Sequence, residues 1–183
     1  MIQVEKLGLG DAAILRNQRF PDARGWFSET YSARWLAEIG PELNFVQDNM
    51  SWSEKERTLR GLHAQQPPMA QAKLVSVISG AIFDVLIDCR NGSPTFGQLR
   101  TVELCAEDPV LLYVPAGFCH GFLTQKPGTL VSYKVDNFYS REHETGIRWN
   151  DPTLQIPWPL NGAQPVVSSK DAELPSFANF AAL

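Results

Sequence analysis

The chain has 183 residues, 44% hydrophobic and 20% charged, the balance of an ordinary globular protein, and at that length it buries roughly 70% of its unfolded surface without needing a disulfide or a metal to fold. Its formal net charge of -4 argues against a nucleic-acid binder, which wants a basic face, but leaves room for a small anionic ligand held by a local cluster of cations. Cys89, Cys105 and Cys119 are odd in number and follow no C-x-x-C spacing, so they read as free thiols of a reducing compartment. No run approaches the roughly 18 apolar residues of a membrane helix, and the first residues lack the basic-then-apolar pattern of a secretory signal. The expectation is a cytoplasmic protein with no membrane partner.

Thirteen Gly and thirteen Pro cut the chain into short pieces, the punctuation of a strand-and-turn protein. The first feature is Phe20-Pro-Asp-Ala-Arg-Gly-Trp-Phe-Ser-Glu29, where aromatic and charged residues alternate around a turn. It has the make-up of an exposed arm that pairs with another subunit. Residues 33–39 read as a helix, with Ser32 as N-cap and Gly40 as its stop. Residues 73–78 and 81–88 are apolar, β-branched runs joined at Ser79-Gly80, a hairpin or two consecutive barrel strands. Residues 111–114 form a strand that stops at Pro115, and residues 129–139 alternate loosely. From Asn150 the chain is rich in Pro and Trp and is expected to wrap the barrel as irregular structure. Many short strands with one helix predict a sandwich or small barrel.

Three histidines can each be weighed. His63 lies in Arg60-Gly-Leu-His-Ala-Gln65, and His120 in Pro115-Ala-Gly-Phe-Cys-His-Gly121. The second turn places its imidazole at the start of a barrel strand, facing inward. His143 sits among charges in Arg141-Glu-His-Glu and reads as a solvated loop residue. Small barrels with inward histidines often hold a metal through a His-x-His pair and a following Glu. Here Gln65 takes the second place and the next charged residue is Lys73, so ligand charge and number are both short. No metal is expected, which leaves His63 free for proton transfer: an imidazole, with an unperturbed pKa of about 6.5, is a general base near neutrality.

Such a base needs an orienting partner, and Asp171 and Asp84 are the candidates by type. Asp84, between Phe83 and Val85 in an apolar strand, is expensive unless it faces a polar cavity or a partner; the plainer reading turns it outward. Lys73, Tyr133 and Arg60 each have an ordinary reading too, as a surface cation, a core aromatic and a surface ion-pair partner.

Read together, these segments resemble the dTDP-4-dehydrorhamnose 3,5-epimerase family nearly end to end. The resemblance is carried by Phe20-x-Asp-x-Arg-Gly-x-Phe-x-Glu29, Phe45-Val-Gln-Asp-Asn-Met-Ser51, Leu59-Arg-Gly-Leu-His-Ala-Gln65, Gln71-Ala-Lys-Leu-Val75, Gly92-Ser-Pro-Thr-Phe-Gly97, Pro115-Ala-Gly-Phe-Cys-His-Gly-Phe122, Tyr133-Lys134, Trp149-Asn-Asp-Pro152 and Ser169-Lys-Asp171, in the family's order. It implies a mainly β, cupin-type double-stranded β-helix (jelly-roll) barrel with few short helices, one domain over residues 1–183. It also implies a homodimer exchanging an arm of about residues 1–30, and a cofactor-independent isomerase acting on dTDP-4-dehydro-6-deoxy-D-glucose. Carried over by motif, His63 is the base, Asp171 its dyad partner, Tyr133 the acid on the opposite sugar face, and Lys73 the group at the enolate oxygen. Arg60 and His120 resemble the diphosphate contacts, with Gln47, Asn49 and Asp84 also at the site. Arg24, Phe27 and Glu29 resemble nucleotide contacts from the neighbouring subunit, and Tyr139 the aromatic beside the thymine. Ala64 stands where the family often has an aromatic residue, which makes the pocket wall the expected place of difference. A relative inverting one carbon only would carry the same residues.

Overall fold

The computed structural model describes residues 2–39, 43–108 and 110–183. Thirteen strands follow one another along the described chain. They are β1 (Gln3–Lys6), β2 (Ala13–Arg16), β3 (Phe20–Asp22), β4 (Gly25–Phe27), β5 (Gln47–Ser53), β6 (Leu59–Gln65) and β7 (Lys73–Ser79), then β8 (Ala81–Asp88), β9 (Leu99–Cys105), β10 (Val110–Val114), β11 (Phe118–Thr124), β12 (Thr129–Val135) and β13 (Glu144–Gly146). Six of them form one antiparallel sheet in the order β1-β2-β10-β7-β12-β5, five form a second in the order β13-β6-β11-β8-β9, and β3 and β4 pair only with each other.

Successive side chains of a strand point to opposite faces, and the burial of these strands follows that period. On β8, Ile82 and Leu86 enter the core between the two sheets, whereas Phe83, Val85 and Ile87 pack on the outer face of the five-stranded sheet. Val75 and Val77 of β7 likewise enter the core, while Ala72 and Leu74 lie on the outer face of the six-stranded sheet. Burying each large apolar side chain of that core contributes about 1.5–3 kcal/mol, with Phe118, Phe122 and Val131 among them. Two sheets stacked about one core make the jelly-roll barrel that the family resemblance implies, one of the two architectures the strand pattern leaves open.

Each outer face has its own cover. Residues 33–39 lay Leu36 and Ile39 on the six-stranded sheet, and the C-terminal segment lays Leu154, Trp158, Phe177 and Phe180 on the other. The expected helix is there, but as a 3-10 turn (Ala33–Trp35) running into one α-turn (Leu36–Ile39). Ser32 takes the N-cap place without a side-chain cap bond; Trp35 N–H donates to its carbonyl at 3.0 Å instead. Gly40, the expected stop, lies outside the described residues. No helix among the described residues is long and apolar enough to cross a membrane.

Two buried carboxylates organise the loops. Asp151 accepts from the N–H groups of Thr153, Leu154 and Phe177, pinning the irregular C-terminal segment. Asp88 accepts from Arg90, Ser93 and Thr95; burial alone would raise its pKa, but these bonds outweigh it and hold it well below the usual carboxylate range.

The two readings left open at Ser79-Gly80 resolve in favour of consecutive barrel strands: β7 and β8 belong to different sheets, so the chain crosses between them there. Residues 129–139 are strand only as far as Val135. The feature that does most to place side chains is a bulge in β6. Its ladder to β11 pairs Arg60 with Phe122 and His63 with His120, leaving Gly61 and Leu62 opposite Gly121 alone. Arg60 and His63, three apart, would face opposite sides of a regular strand; one extra residue returns both to the interior. Two glycines make the bulge possible. Gly61 has φ +113, and a Cβ on it would lie 2.7 Å from the Gly121 Cα and 2.8 Å from the His120 carbonyl oxygen. Gly61→Ala should therefore destabilise the protein by more than about 1 kcal/mol, read as a lower urea midpoint; an unchanged midpoint would contradict this account of the bulge.

Candidate active site

The interior of the barrel is apolar at one end and opens at the other into a cavity of about 520 Å³, walled by both sheets and by residues 166–171 of the C-terminal segment. His63, Arg60 and His120 project into it from the five-stranded sheet, Lys73, Tyr133 and Ser51 from the six-stranded one, and Asp171 from the segment. His63, Asp171, Lys73, Tyr133, Arg60 and His120, spread along the sequence, thus line one cavity.

Asp171 reaches His63 across 108 positions of sequence. Ser168 caps the short helical turn Ser169–Ala172 by accepting from Asp171 N–H at 3.1 Å, and that turn aims the carboxylate inward. Asp171 Oδ1 lies 2.8 Å from His63 Nε2, and Oδ2 accepts from Gly61 N–H at 3.0 Å. Burial pushes this carboxyl up, but the bonds from His63 and Gly61 outweigh it and the pKa is lowered. An ionised carboxylate only accepts, so Nε2 of His63 carries a hydrogen, and in the neutral tautomer of the ring the lone pair is then on Nδ1. Of the two candidate partners for His63, the geometry selects Asp171.

Asp84 pairs instead with His120, whose Nε2 lies 3.0 and 2.9 Å from its two oxygens. The carboxylate is 0% exposed and does not line the cavity. This corrects both the outward orientation and the expected place among substrate contacts. Desolvating such an ion costs several kcal/mol, more than the 1.5–3 kcal/mol a well-packed leucine contributes, so its presence is not explained by packing.

Lys73 is buried, not the surface cation of its ordinary reading; its Nζ donates to the His63 carbonyl oxygen at 3.2 Å. Burial lowers its pKa, with nearby negative groups opposing. Tyr133 faces the cavity from β12, and burial pushes its phenol up, which keeps the proton on the oxygen at neutral pH. Arg60 is held by Ser53 Oγ at 3.2 Å and by the Trp52 carbonyl at 2.8 Å.

The remaining predicted residues lie outside the cavity wall. Gln47 and Asn49 follow Ser51 along the inward row of β5, joined to each other by a 2.8 Å bond, with Asn49 opposite Tyr133. Arg24 and Phe27 stand on the β3–β4 hairpin, Arg24 paired with Asp22 in open solvent and Phe27 66% exposed. Glu29 borders a separate small cleft beside Asn17 and Trp35. Tyr139 is exposed and donates to Glu144 at 2.8 Å. Ala64 packs on the outer face of its sheet, so the expected difference in the pocket wall is not there. His143 is half-buried and bonded to Ser140 rather than free in solvent.

Three residues escaped sequence reasoning. Ser168 could have been found as an N-cap three places before Asp171. Ser51 lines the cavity with its Oγ unpartnered among the described residues, and Glu144 accepts from both Tyr139 and Lys170; neither carries a sequence signal. Among the described residues, no three His, Cys, Asp or Glu side chains are grouped to hold a metal ion.

The family model for dTDP-4-dehydrorhamnose 3,5-epimerase matches residues 6–179. A dTDP-4-dehydrorhamnose 3,5-epimerase of Salmonella typhimurium is 44% identical over 176 residues, covering 96% of this chain and 95% of that protein. The crystal structure of the Bacillus anthracis epimerase with TDP and PPi bound superposes with a TM-score of 0.92 at 46% identity, over 96% of this chain and 99% of that one. The Legionella pneumophila epimerase in complex with dTDP-4-keto-L-rhamnose does so with a TM-score of 0.93 at 39% identity, over 100% and 96%. In sequence and in its cupin-type barrel, the chain belongs to the dTDP-4-dehydrorhamnose 3,5-epimerase family.

Proposed function

We propose that the cavity binds dTDP-4-dehydro-6-deoxy-D-glucose and inverts carbons 3 and 5, giving dTDP-4-dehydro-L-rhamnose, with no cofactor. The observation that carries this reading is the facing of His63 and Tyr133 from opposite sheets across one cavity. A 4-keto group acidifies the protons on both neighbouring carbons. Inversion then needs a base on one face of the ring and a proton donor on the other.

Nδ1 of His63 takes the proton, while Asp171 holds the ring through Nε2 and stabilises the imidazolium that forms. The electrons move into the carbonyl, and the Lys73 ammonium meets the enolate oxygen where the charge develops. Tyr133, a phenol kept protonated by burial, returns a proton from the opposite face. Repetition at the second carbon completes the inversion. Arg60, its guanidinium anchored at one edge by Ser53 and Trp52, clamps the diphosphate together with His120, since a planar fork matches phosphate oxygens. Gln47 and Asn49 extend the same wall.

In this reading the functional protein is a homodimer of single-domain subunits in the cytoplasm. Arg24, Phe27 and Glu29 serve the partner's nucleotide, and Tyr139 stands beside the thymine. Support comes from the β3–β4 hairpin, which pairs with no other strand among the described residues and exposes Phe20, Trp26 and Phe27. Its residues lie outside their own subunit's cavity wall.

In deuterated water, NMR of the 4-keto substrate with chelator-treated protein should show deuterium entering both carbon 3 and carbon 5. Label at one carbon alone would make the protein a single-carbon epimerase, and no label at all would refute the catalytic reading. His63→Ala should lose about 10²–10⁴-fold in kcat while its affinity for dTDP, by calorimetry, stays within a few-fold of wild type. Retained turnover in that variant would remove His63 from the role of base.

A further inference from the structure

The place two residues after His63, where a metal-holding barrel would carry its second histidine, is taken by Gln65. Alternation along β6 puts it on the same face of the strand as His63, yet it does not line the cavity. It is buried, and it stands opposite Glu144 of β13. Burying a carboxamide costs free energy unless its polar atoms find partners. The partner of its oxygen is the Ser140 N–H, which donates to Oε1 at 3.0 Å. A backbone N–H can only donate, so the amide oxygen is the atom that faces it.

Ser140 belongs to residues 136–143, which join β12 to β13 and carry Tyr139. The near end of this segment is tied to the connection between β6 and β7. Gln71 Nε2 donates to the Asn137 carbonyl at 2.8 Å, and Asn137 Nδ2 donates to the Pro68 carbonyl at 3.1 Å. At the far end Gln66 N–H donates to the His143 carbonyl at 2.8 Å. Across residues 138–142, the bond to Gln65 is the one main-chain hydrogen bond that leaves the segment, among the described residues. Tyr139 is the adjacent residue. Its ring is 52% exposed, and its hydroxyl donates to Glu144 at 2.8 Å. Glu144 also accepts from Lys170, the neighbour of Asp171 in the cavity wall. A ring half in solvent takes little orientation from packing. Two bonds therefore set where it stands, one at the backbone through Gln65 and one at the hydroxyl through Glu144.

We propose that Gln65 is a positioning residue for the nucleotide end of the site: its buried carboxamide fixes the main chain beside Tyr139 and so holds that ring in place beside the base. Gln65 touches no ligand itself and acts through Tyr139. That Tyr139 meets the base rests on the epimerase reading above; the anchoring of its loop does not. A position that would serve a metal in another barrel serves here the loop that carries an aromatic ring.

The test is Gln65→Met, which keeps the length of the side chain and removes the acceptor. In the free protein the Ser140 amide, assigned by its loss from nitrogen-15 serine spectra of Ser140→Ala, should be protected from hydrogen exchange, and should exchange about tenfold faster in Gln65→Met. Equal protection in both would overturn the anchor. By calorimetry dTDP should bind Gln65→Met about 2- to 10-fold more weakly than it binds the wild type, while inorganic pyrophosphate, which has no base, binds both alike. Tyr139→Ala should lose about 5- to 100-fold in dTDP affinity, and adding Gln65→Met to it should cost nothing further. A purely structural role would weaken pyrophosphate as much as dTDP, or add its loss in full to that of Tyr139→Ala; either result would overturn the proposal. Should the variant not fold, the wild type decides it, since a Ser140 amide exchanging as fast as an unstructured one overturns the anchor. Unchanged dTDP affinity in Tyr139→Ala would overturn the nucleotide role of the ring and the proposal with it. The exchange data use no ligand and would still show whether the loop is anchored, which separates the two failures.

Discussion

A strand offers its side chains only two faces, and in this barrel the inner face must serve both as core and as site. The rows that carry Val75, Phe118, Phe122, Leu86 and Val131 into the core are the rows that carry Lys73, His120, Asp84 and Tyr133. The polar members therefore cannot be moved outward without turning their apolar neighbours out as well. The period of two ties catalysis to folding, strand by strand. The exception proves informative: Arg60 and His63 share the inner face only because β6 bulges at Gly61 against Gly121.

Placing ions inside a barrel creates a second requirement, that each be compensated. Asp171 is met by His63 and the Gly61 N–H, Asp84 by His120, and Arg60 by Ser53 and the Trp52 carbonyl. Lys73 is the least compensated, with one bond to a backbone oxygen and a pKa lowered by burial. An ammonium so poorly satisfied in the empty site gains most when negative charge appears beside it. That is the behaviour wanted of a group that stabilises a transition state more than a ground state. The unpartnered Ser51 hydroxyl on the same sheet is in a similar condition.

Much of this could be read from the residues. Short β-branched runs between Gly and Pro narrow the fold to a sandwich or small barrel, and the family resemblance of the motifs around positions 60, 63, 73, 120, 133 and 171 implies the barrel and the six cavity residues. What could not be read depends on contacts far apart in the chain. By residue type alone Asp171 and Asp84 are equal candidates for His63, and only the resemblance prefers Asp171, because the choice lies in which element crosses which strand. The facing of Asp84 and of Ala64 hangs on strand phase, and in β6 a bulge resets that phase with no signal beyond a glycine. The partnership of Glu144 with Tyr139 and Lys170 spans three separate elements. Arg24, Phe27 and Glu29 show the opposite case, residues marked by their motif whose work, if the arm is exchanged, lies in another subunit.

In the proposed reaction, inversion is done by two groups on opposite sheets, a base that removes the proton and a phenol that returns it. Tyr133→Phe separates them, and the measurement is the stereochemical outcome in deuterated water followed by NMR. In that variant His63 should continue to exchange a sugar-ring proton for deuterium while net inversion falls by orders of magnitude. Inversion at the wild-type rate with the phenol gone would contradict it.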